Sequence, residues 1–164
     1  MLVTVDGLPA NVEYKRVRHA LTFYSDILMG KRMSNNIEIR VSFIKDLMKT
    51  NNVIASCIWE DSNYRPRSFL IEIDASISST LRLMTALAHE MVHVKQYAKS
   101  EMCDLFRGPH ALKWNGKPFN DEDVEYWDLP WEIEAYGRER GLYERFKIYW
   151  NKNKKDIRAS KTIR

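Results

Sequence analysis

Cysteine is scarce. Cys57 and Cys103 are the only two in 164 residues. They form neither a disulfide framework nor a metal-type cysteine spacing, and they suit a reducing compartment, where they act as packing residues. Long apolar runs are missing too. None reaches the roughly 20 residues of a membrane span, so no membrane partner is expected. The start, Met1-Leu2-Val3-Thr4-Val5-Asp6, lacks a basic patch followed by an apolar stretch. A signal peptide is therefore not expected, and a cytoplasmic location is. There is no internal repeat. Histidine is rare as well, with four in the chain, so where they stand carries information.

What is present describes a globular protein. Apolar residues make up 45% and aromatics 12%, too much for a disordered chain. The length predicts one domain, over 1–150, followed by a basic and flexible tail over 151–164. That tail carries Lys152, Lys154, Lys155, Arg158, Lys161 and Arg164 and contributes much of the net charge of +4.

Periodicity outlines the elements. Met1 to Pro9 alternates weakly and predicts a short edge strand. Asn11 is a candidate cap for a helix to about Met29, with an apolar stripe of Val17, Ala20, Leu21, Tyr24, Ile27 and Leu28. Gly30 would end it. Three strand-like runs follow: Ile37 to Phe43, Val53 to Trp59 and Ser68 to Ile73. The loop Glu60 to Pro66 suits a hairpin or meander, which predicts a small, mostly antiparallel sheet. Asp74 to Ser79 is a turn, with Ser76 or Ser78 as a cap for the next helix. From Ser100 to Leu129 periodicity fades, and Trp114, Phe119, Tyr126 and Trp127 are the expected anchors of a long functional connection. Pro130 suits the first turn of a last helix to about Trp150, which Gly137 and Gly141 weaken. The expected fold class is α+β: a small sheet packed on a central helix, with one helix at each end.

The chemistry is concentrated in His89-Glu90-Met91-Val92-His93, within an apolar-periodic segment from about Ile77 to Lys99. Helical residues four apart share a face, so both imidazoles aim at one point. Around this helix Thr85, Ala86, Gln96 and Tyr97 lie on the histidine side, and Leu83, Met84, Leu87, Met91, Val94 and Ala98 on the other. The histidines thus stand apart from the apolar stripe. Zinc takes imidazole nitrogen and prefers four ligands in a tetrahedron. Glu90 is beside the pair, where a carboxylate can deprotonate an attacking water.

A catalytic zinc needs a third protein ligand. In Pro130-Trp131-Glu132-Ile133-Glu134-Ala135-Tyr136, the helical wheel places Glu132 within the packed face, where a buried carboxylate needs a cation. Glu134 falls on the opposite side, in reach of an i,i+4 pair with Arg138. His110 is the rival ligand, or alternatively a donor to an oxyanion. Tyr126 and Tyr136 are the other candidate oxyanion donors, and Glu139 is placed to orient a histidine.

These motifs resemble the zincin metallopeptidases. Ala88 to Val94 followed by Pro130 to Tyr136 is similar to the gluzincin pattern, in which a Glu on the helix after the H-E-x-x-H helix is the third ligand. The small size is similar to minimal ImmA/IrrE-like and phage-encoded peptidases. The resemblance covers roughly Phe69 to Leu142 and implies a zinc-dependent metallopeptidase acting on protein or peptide, with His89, His93 and Glu132 on the metal, Glu90 as general base, and His110 and Tyr136 as catalytic candidates. A phage origin would imply the host cytoplasm. His89 to His93 with Gly108-Pro109-His110 also resembles the SprT-like family, with a histidine third ligand and DNA-crosslinked proteins as substrates. The spacing departs from that family, and the residues after His110 lack its usual glycine and phenylalanine. A nucleic-acid contact through the basic tail, or a zincin fold kept as a regulatory module, are the readings from other classes.

Overall fold

The computed structural model describes residues 1–104, 111–122 and 124–160. Its strands and helices alternate through the first half of the chain. β1 (Leu2–Asp6) leads to α1 (Tyr14–Met29) and a short α2 (Lys31–Ser34), then β2 (Glu38–Ile44), α3 (Leu47–Asn51), β3 (Ala55–Trp59) and β4 (Ser68–Asp74). α4 (Thr80–Ala98) carries the histidines. β5 (Met102–Asp104), β6 (Ala111–Trp114) and β7 (Lys117–Asn120) follow, then a 3₁₀ turn (Tyr126–Asp128) and α5 (Pro130–Ala159). The protein is thus mixed α and β, with helices near both ends.

The first sheet has the order β1-β2-β4-β3. β1–β2 and β2–β4 are parallel and β3–β4 is antiparallel. The mostly antiparallel sheet expected from the loop lengths therefore holds for β3–β4 and for the second sheet, β5-β6-β7. The reason lies in α1. A helix between two strands returns the chain to the end where it started, so β1 and β2 run the same way. Alternate strand residues are buried: Ile39, Val41 and Phe43 on β2, and Phe69, Ile71 and Ile73 on β4. They join Val17, Ala20, Leu21 and Tyr24 of α1 and Leu83, Met84, Leu87, Met91 and Val94 of α4 in one core.

The helix ends depart from the expected caps. α1 begins at Tyr14, with Glu13 rather than Asn11 in the capping place and no side-chain bond there. Gly30 ends it as expected, at φ 78°, its N–H bonded to the Asp26 carbonyl. α4 is capped by Ser79, whose hydroxyl accepts from the Arg82 N–H at 3.3 Å. Ser76 is drawn away because its N–H goes to Asp74 at 2.7 Å.

Asn115 and Gly116, both at positive φ, turn the chain between β6 and β7. An Asn-Gly pair favours the tight turn whose twist matches a hairpin. A second small core of Met102, Leu112, Leu129 and Trp131 sits under this sheet. Trp114 and Phe119 anchor it, their rings 5.9 and 5.2 Å from Trp131. The other two expected anchors do not serve: Tyr126 and Trp127 stay 48% and 67% exposed.

α5 runs on to Ala159 instead of stopping near Trp150. Ile157 is buried, and Lys15 of α1 donates to the carbonyls of Ile157 and Arg158 at 3.1 and 2.9 Å. Arg158 pairs with Glu13 and lies over the Trp150 ring. The basic residues 152–158, expected on a flexible tail, therefore lie on a docked helix; Lys161 and Arg164 fall outside the described residues. Gly137 and Gly141 do not interrupt it, because Trp131 and Ala135 before them and Leu142, Tyr143, Phe146 and Trp150 after them are buried. A Cβ at Gly141 meets nothing within 4 Å. Gly141→Ala should then stabilise the protein by about 0.5–1 kcal/mol, the usual cost of a mid-helix glycine. Thermal unfolding checks this, and a lower melting temperature would show that the helix needs glycine there.

Candidate metal centre

The site is made where α4 meets α5. The apolar stripe of α4 turns to the sheet, and the turns bearing His89 and His93 are covered by the start of α5. Pro130 occupies the first position of α5, which sets Glu132 in its first turn. Three side chains converge there. His89 Nε2 and His93 Nε2 are 3.1 Å apart. Glu132 places Oε2 3.3 Å from His89 Nε2 and Oε1 3.4 Å from His93 Nε2. All three residues are under a tenth exposed. One ligand atom from each lies within 4.8 Å of the others, a separation compatible with a shared metal ion.

The outer partners fix which nitrogen faces inward. His89 Nδ1 donates to Glu139 Oε2 at 2.8 Å, because a carboxylate can only accept. His93 Nδ1 donates to Gln96 Oε1 at 2.8 Å. Each Nε2 is then left with its lone pair toward the centre. Two lone pairs and a carboxylate this close require a positive charge among them, either a proton on an imidazole or a metal cation. Tyr126 adds its hydroxyl, donating to Glu132 Oε2 at 2.8 Å.

The electrostatics follow from this crowding. Burial opposes charge on His89, but the Glu132 and Glu139 carboxylates outweigh it and push the imidazolium up to about 9. Burial holds His93 below the ordinary histidine value, against the pull of Glu132. Burial also works to raise Glu132, but the hydrogen bond with His89, the charge of His93 and the Tyr126 hydroxyl hold it low. Glu90 is 6% exposed. Burial pushes it up to about 7, with Glu132 and Glu139 adding to the push and His89 opposing it. A carboxylate tuned near neutrality suits exchange of a proton at working pH.

Of the other sequence candidates, Tyr136 packs its ring edge-on to His89, centroids 4.6 Å apart, with 41% of the residue exposed. Glu139 takes the orienting place expected for it. His110 lies outside the described residues. Glu134 does pair with Arg138, at 2.8 Å, but it is more than a surface group. It also receives Gln96 Nε2 at 3.1 Å and the buried Lys95 at 2.6 and 2.7 Å. Sequence placed Gln96 on the histidine side of the helix without giving it a role, and did not single out Lys95. Gln96 stands three residues after His93, on its side of the helix, and that spacing was the available signal.

Comparison with protein-family models, with curated proteins and with solved structures returns no match for this chain.

Proposed function

We propose that this protein is a zinc-dependent peptidase in which His89, His93 and Glu132 hold the ion and Glu90 is the general base. One observation carries the reading: the triangle of His89 Nε2, His93 Nε2 and the Glu132 carboxylate, with edges of 3.1, 3.3 and 3.4 Å. A tetrahedron with zinc–ligand arms of about 2.0–2.1 Å has edges of roughly 3.3–3.4 Å. Two imidazoles and a carboxylate are also a donor set that zinc favours, with the fourth position left for water. Zinc there would supply a Lewis acid and an acidified water.

The remaining work falls to the chain. Glu90 takes the proton from the attacking water and returns it to the leaving amine. Tyr126 has spent its hydroxyl proton on Glu132, and burial with its hydrogen bonds to Tyr136 and Glu132 raises it far above an ordinary phenol. Tyr136, whose ring packs against His89, is the other candidate donor to a developing oxyanion, and it would have to turn its hydroxyl away from Tyr126 to serve. A peptide substrate is favoured by β3. It is an outer strand of its sheet, and its Trp59 ring packs 4.6 Å from Tyr97 of the helix that carries Glu90. An extended chain adding to that edge would be led past the base.

The test is direct. Purified protein should carry about one zinc per chain and cut members of a broad peptide library, whereas His93→Ala should lose both. Full zinc content in His93→Ala would rule this site out.

A further inference from the structure

We infer that Gln96 is a positioning residue that holds His93 in one tautomer and orientation, and that α5 sets the direction of its amide. This rests on the reading of His93 as a metal ligand. Gln96 is fully buried, where an amide that found no partners would be costly. All its polar contacts are directional. Its Nε2 donates to the Trp131 carbonyl at 3.0 Å and to Glu134 Oε2 at 3.1 Å. A carbonyl and a carboxylate can only accept, so the NH₂ end must face α5 and Oε1 must face His93 Nδ1. An amide turned the other way would set a donor against the imidazole N–H and an oxygen against two other oxygens.

Glu134 is itself anchored. Lys95 and Arg138 each donate to it, and Lys95 also donates to Glu101 at 2.5 Å. Its charge is thereby balanced and its oxygen held toward Gln96. Trp131 directly precedes Glu132, so one side chain on α4 grips His93 and the turn of α5 that supplies the carboxylate. The two histidines are thus steadied differently. A charged carboxylate holds His89; a neutral amide, itself fixed by an ion pair, holds His93. Outer partners of this kind typically matter 10–100-fold in metal affinity.

The test uses Gln96→Met, which keeps volume and helix preference, and Gln96→Glu combined with Glu134→Gln, which returns an acceptor to His93 and sets an amide donor, in place of a second carboxylate, against the new side chain. Histidine-ring nitrogen NMR on the metal-free full chain reads the tautomer without zinc or turnover. His93 should be a single Nδ1–H form in wild type, a mixture in Gln96→Met, and a single form again in the double variant. Zinc affinity, measured by chelator competition, should fall about 10–100-fold in Gln96→Met. A pure Nδ1–H form in Gln96→Met, with zinc affinity within about twofold of wild type, overturns the inference. If wild type itself binds no zinc, the metal reading fails, and the tautomer spectra still decide what Gln96 does.

Discussion

Glu90→Gln is expected to keep its zinc and lose hydrolysis by about 10²–10⁴-fold, the usual worth of a positioned general base. The substitution preserves shape and hydrogen-bonding reach, and removes only the ability to take a proton. Glu90 lies outside the converging triad, so metal content should not follow activity down. Folding should not suffer either. Burial already favours the neutral carboxyl, pushing it up to about 7, and a neutral amide replaces it without the cost of a buried charge. Metal analysis beside turnover of a cleaved library peptide checks this. Wild-type turnover in Glu90→Gln would remove it as the base.

Zinc should also raise thermal stability strongly. At about 1,000 times its Kd, a ligand that binds only the folded state adds about 4 kcal/mol. For a chain of this size that is roughly 8–16 °C in Tm, and His93→Ala should show almost none of it. The shift should depend on pH in a defined direction. In the metal-free protein, His89 is raised from 6.5 to about 9 and Glu90 from 4.5 to about 7. Both groups bind their proton more tightly folded than unfolded. The stability this gives is complete below the unfolded values and is lost as pH rises through the folded ones. Burial holds His93 below its unfolded value and works the other way up to about pH 6.5, so the metal-free protein should weaken from about pH 7 to about pH 9. Zinc displaces the His89 proton, so its own stabilisation should grow over the upper part of that range. Melting curves with and without zinc at about pH 7 and about pH 9 read both trends. A zinc shift that is no larger at the higher pH would mean that His89 holds no proton for the metal to displace.

Much of the site was legible from local chemistry. His89 and His93 are one helical turn apart whatever the rest of the chain does, and the wheel that put Glu132 in the packed face needed only the spacing of Tyr136, Tyr143 and Phe146. Glu139 followed from the same wheel. Glu134 was half read: its bond to Arg138 is local, but its bonds to Lys95 and Gln96 come from another helix. The same division runs through the fold. The stripe of α1 matches its buried face, whereas α4 is buried on the histidine side as well, because α5 covers it; the parallel β1–β2 pairing follows from the helix between the two strands and not from loop length. The Asn115-Gly116 pair is itself a hairpin signal, and it lies within the stretch read as a connection of fading periodicity. Tyr126 and Trp127 resemble Trp114 and Phe119 in composition, and only their surroundings separate anchors from exposed rings.

By itself the sequence determined the three long helices and the strands of the first sheet, the face on which each histidine lies and the residue types able to hold a metal, because these depend on periodicities of a few residues. Tertiary structure decided which carboxylate meets the imidazoles, which nitrogen each imidazole turns inward and where α5 ends. Those outcomes depend on contacts between α4 and α5 and between α1 and α5, groups that are distant along the chain and brought together only by burial of the shared core.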